Sequence, residues 1–417
     1  LGGATLTTGH ESAGKCTYDP FDLSSPHKKW KAFRAESPVF YHEETDYWVV
    51  TKHEDVKQVF DDWNTFSSDN AQAPMRPMCA QGKQIMKDGG FTAYSGLSAR
   101  VPPDHTRIRK IVQTAFGPRR FKAIEPKVED IIDRSLAAVK GKAEIDFFQE
   151  IAYPVPALVL FTLMGIPDGD VPKVKDWATS RAALTWGNLS DEEQLPHAHK
   201  MVEYWSYCRD LVAARRQQAG DDLPSDLLQT QFDGGEITDE EIAGVMYSVL
   251  FAGHETTTTL MTNALKVLME NRETWDEICA DPSKIKNATE EVLRYAPSIV
   301  SWRRRAKTDT RIGSVDVPEN ANILMIMGSA NRDEDLFKDG ETFDIQRENA
   351  RNHLSFGYGV HFCPGFQLAK MEFGIMLREL TKRFPNMTLK DGSAVEYVRN
   401  ISFRVPNRLD IKLGTPA

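Results

Sequence analysis

The stretch from Thr238 to about Leu268 constrains the fold more than any other part of the sequence. Thr238-Asp-Glu-Glu241 spells a capping box, in which the threonine side chain and the glutamate three residues later satisfy each other's backbone amides and start a helix. The residues that follow, among them Val245, Met246, Val249, Leu250 and Phe251, are apolar on most sides rather than along one stripe. Such a helix has to run through the middle of a protein, so whatever lies at its midpoint is buried. Ala252-Gly253-His254-Glu255-Thr256 lies there. A mid-helix glycine is worse than alanine by about 1 kcal/mol and is expected where something must approach the backbone closely.

The rest of the chain has to wrap that helix. With 417 residues, 41% hydrophobic and 27% charged, it has the make-up of a globular protein with a large core. There is no internal repeat, no low-complexity segment and no linker rich in Pro, Gly and Ser, so one domain spanning residues 1–417 is expected. Helices are expected from Asp104 to just before Gly117-Pro118, from Asn287 to Tyr295 and from Phe366 to about Phe384. Strands are expected at Tyr47–Thr51, Val315–Val317 and Ile323–Met327. The fold class is mainly α with small β-sheets: a small β-rich region at about 30–100, joined by later strands, and a helical region at about 102–390.

A net charge of −9 argues against a nucleic-acid binder, whose affinity comes from basic surface meeting phosphates. No apolar run approaches the ~20 residues that span a bilayer, and Leu1 to Ser12 lacks the apolar centre of a signal peptide. A cytoplasmic protein with no membrane partner is expected. Cys16, Cys79, Cys208, Cys279 and Cys363 are scattered and odd in number, with no C-x-x-C pair, which suits neither a disulfide framework nor structural zinc. A single functional thiolate is the remaining role for a cysteine here.

Phe356-Gly-Tyr-Gly-Val-His-Phe-Cys363-Pro-Gly365 supplies one. Its glycines permit positive φ, so the loop can lie flat against a planar cofactor with amides aimed at sulfur. The helix that begins just after it adds partial positive charge, which favours a thiolate and hence an anionic iron ligand. Thiolate ligation pushes electron density onto iron and favours O–O cleavage. The segment matches F-G-x-G-x-H-x-C-x-G at every fixed position, and on it the chain resembles the cytochrome P-450 family, most of all its soluble bacterial members.

The resemblance implies the P-450 fold, with haem b (iron protoporphyrin IX) between the long central helix and the cysteine loop, and Cys363 on the iron. Ala252 to Thr256 resembles the family's A-G-x-[DE]-T motif. Thr256 would then hydrogen-bond the oxygen being activated and Glu255 would relay protons, while Ala252 and Gly253 would let dioxygen approach. The competing reading of Thr256 to Thr259 is that their hydroxyls only bond back to carbonyls and bend the helix. His254 is assigned no chemistry.

Glu291-Val-Leu-Arg294 resembles the E-x-x-R pair, which in the family is joined by a second arginine, here Arg347. Propionate partners implied by the resemblance are His105, Arg109, Arg304 and His361, with the register among Arg303, Arg304 and Arg305 left open; Phe356 and Gly365 would border the haem. Arg107 should point away. Substrate contacts would come from Phe91, Tyr94, Leu97, Phe251, Ala252, Ile299, Val300 and Trp302, which suits a small to medium apolar ligand, aromatic ones included. The nearest likeness is to members that oxidise xenobiotics such as thiocarbamate herbicides and aryl ethers by hydroxylation or O/N/S-dealkylation.

No flavin or iron–sulfur signature occurs, so electrons from NAD(P)H would arrive through a separate ferredoxin or flavodoxin and its reductase, with O2 as co-substrate. Lys110, Arg119, Arg120 and Lys370 are candidates for the docking patch. The rival readings are a peroxide-driven peroxygenase, against which Glu255 argues, and a non-catalytic haem-thiolate ligand-binding protein.

Overall fold

The computed structural model describes residues 18–92, 96–392 and 395–414. Its axis is the helix Asp239–Glu270, 32 residues and so about 48 Å long. Both halves of the expected capping box are present: Glu241 N donates to Thr238 Oγ1 at 3.2 Å, and Thr238 N donates to Glu241 Oε2 at 2.8 Å. The helices Pro154–Leu163, Val171–Trp186 and Asp191–Gln217 pack around it, which explains why the sequence is apolar on nearly every side. Arg107 ties this helix to Asp104–Ala115 by pairing with Glu241 and Asp104. Arg107, expected to point away from Arg109 and to be exposed, is half-buried and spent on these ion pairs.

Helices dominate, with three small sheets. The largest sheet orders its strands Val39–His42, Tyr47–Val50, Asn322–Met325, Trp302–Ala306 and Phe66–Ser67. Tyr47–Val50 runs parallel to Asn322–Met325, so a strand from the first fifty residues is fixed by one almost three hundred residues later. The region 30–100 also holds the helices His27–Glu36, His53–Asp61 and Ala80–Asp88. In the second of these, Val56, Val59 and Phe60 are buried at i, i+3 and i+4, a helical spacing too short to stand out beside the strand signals. The later strand ends at Met325, and Met327–Ala330 turns into a short helix.

Glu291 and Arg294 lie on Ile285–Tyr295 and are wholly buried. Both Arg294 Nε and Nη2 donate to the Glu291 carboxylate at 2.7 Å, and Arg347 Nε lies 3.4 Å from it. The Arg294 guanidinium also holds the carbonyls of Asn331, Gly340 and Thr342, so this knot fastens the helix to the segment that leads into the cysteine loop.

Candidate active site

The cysteine loop owes its shape to two left-handed glycines, Gly357 at φ +72° and Gly359 at φ +67°. Cys363 N donates to Phe356 O at 2.9 Å and Phe362 N to Gly359 O at 3.0 Å, closing the turn around the sulfur. The helix Phe366–Arg383 starts immediately after it. Burial pushes the Cys363 thiol up, opposed by hydrogen bonds from the amides of Gly365 and Phe366 and by the charge of Arg109. The environment is that of an interior sulfur already equipped to carry negative charge. A Cβ on Gly365 would meet only ordinary contacts, 3.6 Å to Phe116 and 4.0 Å to Cys363 Sγ, so glycine there leaves room beside the sulfur. The Phe356 ring sits edge-on to Phe362 and Phe366 at 6.3 and 6.1 Å.

His105, Arg109, Arg304 and His361 come together from three distant parts of the chain. The rings of His105 and His361 lie 4.1 Å apart, and Arg109 Nη2 donates to Phe362 O at 2.6 Å. Within the triplet, Arg303 turns to the carbonyls of Ala71 and Ala73, and Arg305 is 41% exposed beside Asp69. Arg304 alone faces the histidines. It is 1% exposed, and its Nη2 has no partner, nor has either ring nitrogen of His105.

Burial, reinforced by the two arginines, pulls His105 down to about 4 and His361 to about 2, and burial alone pulls Arg304 down to about 10. A buried cluster of donors and cations that repel one another, with orphaned N–H groups and no carboxylate among their described partners, is built for anions. The two propionates of a haem fit it.

One face of the central helix keeps exposure although its neighbours are buried. Ser248, Val249, Ala252, Gly253, Glu255 and Thr256 keep solvent exposure, while Tyr247, Leu250, Phe251, His254 and Thr257 are buried. The spacing of four between Ser248, Ala252 and Thr256 defines a stripe along an internal space. The loop 355–366 keeps a similar half-exposure, with Tyr358 at its rim. A Cβ on Gly253 would come 2.7 Å from Leu160 Cδ1, so the helix Pro154–Leu163 packs closely against this glycine.

Thr256 Oγ1 donates to Ala252 O at 2.8 Å, and Thr257, Thr259 and Thr262 bond backwards in the same way. The back-bonding weighed against catalysis in the sequence is therefore present, and it leaves the Thr256 hydroxyl presenting lone pairs to the internal space. His254, given no chemistry from sequence, is the partner of Glu255: its Nε2 lies 3.1 Å from Glu255 Oε1, while its Nδ1 lies 2.7 Å from Leu250 O. A carbonyl only accepts, so Nδ1 carries a hydrogen there. Neither Nε2 nor Oε1 meets hydrogen-bond geometry with any partner among the described residues, and a hydrogen bond between them would need one further proton held by the two side chains.

Burial works to raise the Glu255 carboxyl, but the His254 ring close beside it and the charge of Lys175 hold it below its usual value. Lys175 is itself buried; burial brings it down to about 7, against the pull of Glu255, with its Nζ on Tyr153 O and 3.1 Å from the Tyr153 ring centre. Lys175 gave no sequence signal beyond a charge on an otherwise mixed helix.

Of the expected substrate contacts, Phe251, Ile299 and Trp302 gather. Phe251 stacks on Trp186 at 5.2 Å and meets Phe403 edge-on at 5.8 Å; Ile299 bridges to Phe403, and Trp302 lies 6.0 Å from Trp186. Trp186 and Phe403 were missed because they come from remote segments. Phe91 lies a turn away, against Trp205 and Tyr247. Leu97 is half-buried at the edge of the main core, and its backbone bonds His361. Val300 is fully buried beside Gly328 and Trp30, in the core. Tyr94 lies outside the described residues.

On the proposed docking face, Arg120 is paired with Asp221 and Asp226, and Lys370 with Glu290, so their charges are already neutralised. Lys110 and Arg119 are exposed. No helix among the described residues is long and apolar enough to cross a membrane.

The sequence model of the cytochrome P450 family matches residues 26–281 and 284–402. The chain is 32% identical to cytochrome P450(MEG) of Priestia megaterium over 87% of its length and 88% of that protein. To the erythromycin C-12 hydroxylase of Saccharopolyspora erythraea it is 33% identical, over 86% and 87%. The solved structure of cytochrome P450 CREJ in complex with (4-ethylphenyl) dihydrogen phosphate superposes with a TM-score of 0.93 at 51% identity, covering 95% of this chain and 99% of that one. A thiolate loop, an anion-seeking cradle beside it and the matched fold lead to one assignment: the chain belongs to the cytochrome P450 family, and it is a monooxygenase that uses haem, dioxygen and electrons from a redox partner.

Proposed function

We propose that residues 1–417 form a single haem-thiolate monooxygenase domain that oxidises a small alkyl-substituted aromatic compound. Cys363 would hold the iron of haem b, and His105, Arg109, Arg304 and His361 its propionates. The observation that carries this is the pairing of a buried, amide-capped sulfur with an unneutralised cationic cluster one loop away. When bound, the haem supplies oxygen activation at a thiolate-ligated iron, where O–O cleavage is favoured.

The chain's own residues supply the protons. Glu255 and His254 hold one proton between them, and Lys175 offers a second buried donor near the neutral range. Thr256 donates to Ala252 O in its present rotamer, so toward substrate and oxygen its hydroxyl is free only to accept, and it has to release Ala252 O to donate there. Electrons come from NAD(P)H through a ferredoxin or flavodoxin and its reductase, in the cytoplasm of a bacterial cell; exposed Lys110 and Arg119 suit an acidic partner.

The aromatic layer of Phe251, Trp186, Trp302 and Phe403 supports a flat substrate. The 51%-identical neighbour holds a para-ethylphenyl phosphate, so an alkylphenyl compound, free or as its phosphate monoester, is the proposed substrate class. Oxidation falls on its alkyl carbon, by hydroxylation or by dealkylation next to a heteroatom. Xenobiotic aryl ethers are substrates of the same shape.

The test is spectroscopic and then catalytic. The reduced, carbon-monoxide-treated holoenzyme should show the red-shifted band of thiolate-bound iron, and 4-ethylphenol with surrogate ferredoxin and reductase should drive NAD(P)H consumption with hydroxylated product. Absence of the band, or turnover only with added peroxide, would refute the reading. Thr256→Ala should keep haem and the substrate-induced spin change, yet divert reducing equivalents to hydrogen peroxide and lower coupling to product by roughly tenfold or more. Its stability should change by less than about 1 kcal/mol, since only one helix back-bond is lost. Unaltered coupling would remove Thr256 from the proton path.

A further inference from the structure

The wall of the aromatic layer carries one charge that nothing in the fold requires. Arg181, on the helix Val171–Trp186, is 7% exposed. Its guanidinium carbon lies 4.3 Å from the Tyr247 ring centre and 5.2 Å from that of Phe251. Nη1 donates to Tyr247 O at 2.7 Å and Nη2 to Gln72 Oε1 at 3.0 Å. Both partners are neutral, and no carboxylate among the described residues forms an ion pair with it. A guanidinium is always charged, and burying one without a counter-charge is unfavourable unless an anion arrives to complete it.

Two further donors stand idle in the same layer. Trp186 Nε1 is buried with no partner, on the ring that stacks against Phe251. Ser248 Oγ is likewise buried and unpartnered, on the helix stripe that continues through Ala252 to Thr256. Gly96 packs onto Ser248 so closely that it has no room for a side chain. Nearby, Gln72 Nε2 donates to Ser98 Oγ at 3.0 Å, so Gln72 links Arg181 to the loop that bears Leu97. A cation, an indole N–H and a hydroxyl thus gather around Tyr247 and Phe251 of the central helix: Arg181 lies over both rings, Trp186 stacks on Phe251, and Ser248 follows Tyr247 on the stripe that leads to Thr256.

We infer that Arg181, with Trp186 Nε1 and Ser248 Oγ, forms an anion subsite that takes the tetrahedral oxyanion of an aryl phosphate monoester. The aryl ring lies against Trp302 and Ile299, the half-buried members of the aromatic layer, and the alkyl group at its far end points along the stripe to Ala252 and Thr256. Charge at one end and chemistry at the other fix which carbon is oxidised. The inference rests on the monooxygenase reading above and deepens it by assigning which group of the substrate is recognised and by what.

The test titrates wild-type holoenzyme, Arg181→Met and Arg181→Lys with 4-ethylphenyl phosphate and with neutral 4-ethylphenol, following the haem spin-state change. Wild type should bind the phosphate roughly 100-fold more tightly than the phenol. Arg181→Met should lose that preference while its phenol affinity moves less than about threefold; Arg181→Lys should keep part of it, since the charge stays but the fork is lost. The carbon-monoxide band of each variant establishes that the fold and haem are intact.

If wild type shows the thiolate band and binds both compounds equally, or if Arg181→Met holds the phosphate as wild type does, the anion subsite is overturned and the monooxygenase reading stands. If wild type lacks the thiolate band, the monooxygenase reading itself falls, and the subsite falls with it.

Discussion

Replacing Glu291 by alanine is expected to destabilise the protein by roughly 3–5 kcal/mol and to yield chain that does not retain haem. The size follows from what is left behind. Glu291 is fully buried, accepts two 2.7 Å bonds from Arg294 and one of 2.8 Å from Asp344 N, and sits 3.4 Å from Arg347. Removing it strands two guanidiniums, at 0% and 9% exposure, with only carbonyls to face. Those carbonyls belong to residues 331–342, which lead into the cysteine loop, so the loss reaches the site that should hold the haem.

The exposed pair Arg134 and Asp130 has a comparable 2.9 Å geometry, but its side chains are 68% and 62% exposed. Arg134→Ala should change stability by less than about 0.5 kcal/mol. Denaturant titration followed by circular dichroism, with haem content measured on the same preparations, compares the two. A Glu291→Ala protein with wild-type midpoint and full haem would show that the knot is dispensable.

What could be read in the residues and what could not divides along sequence distance. Thr238 and Glu241 announced the helix start because the capping box is complete within four residues, and the cysteine loop announced its turn through Gly357 and Gly359. Arg304 could not be told from its neighbours: three arginines in a row differ only in which face of Trp302–Ala306 they occupy. That face is decided by pairing with Asn322–Met325.

The idle charge of Arg181 and the approach of His254 to Glu255 depend on contacts with Tyr247, Gln72 and Leu250 that exist only once helices are packed. The isolated arginine in Ser180-Arg-Ala-Ala-Leu184 was the one available hint, a charge inside an apolar run. Arg120 and Lys370 misled for the converse reason. Their neutralising partners, Asp221, Asp226 and Glu290, lie 80 to 106 residues away.

Cys363→Ala should abolish monooxygenation while leaving the fold intact, and the two halves of that expectation have separate causes. The loop is shaped by backbone: Cys363 N on Phe356 O, Phe362 N on Gly359 O, and two left-handed glycines, none of which needs the sulfur. Losing one buried sulfur removes a small volume, which should lower stability by about 1 kcal/mol or less. His105, Arg109, Arg304 and His361 remain, so anion-holding capacity for the haem persists in part. What disappears is the thiolate of the loop, and with it the electron donation to iron that favours O–O cleavage. The variant should therefore bind some haem, show no red-shifted band after reduction with carbon monoxide, and give no product with redox partners. Cys363→Ser separates volume from charge, because its hydroxyl keeps most of the volume and stays protonated where a thiolate would form. Full product formation by purified Cys363→Ala would mean that oxygen is activated elsewhere, and the assignment of position 363 to the iron would have to be abandoned.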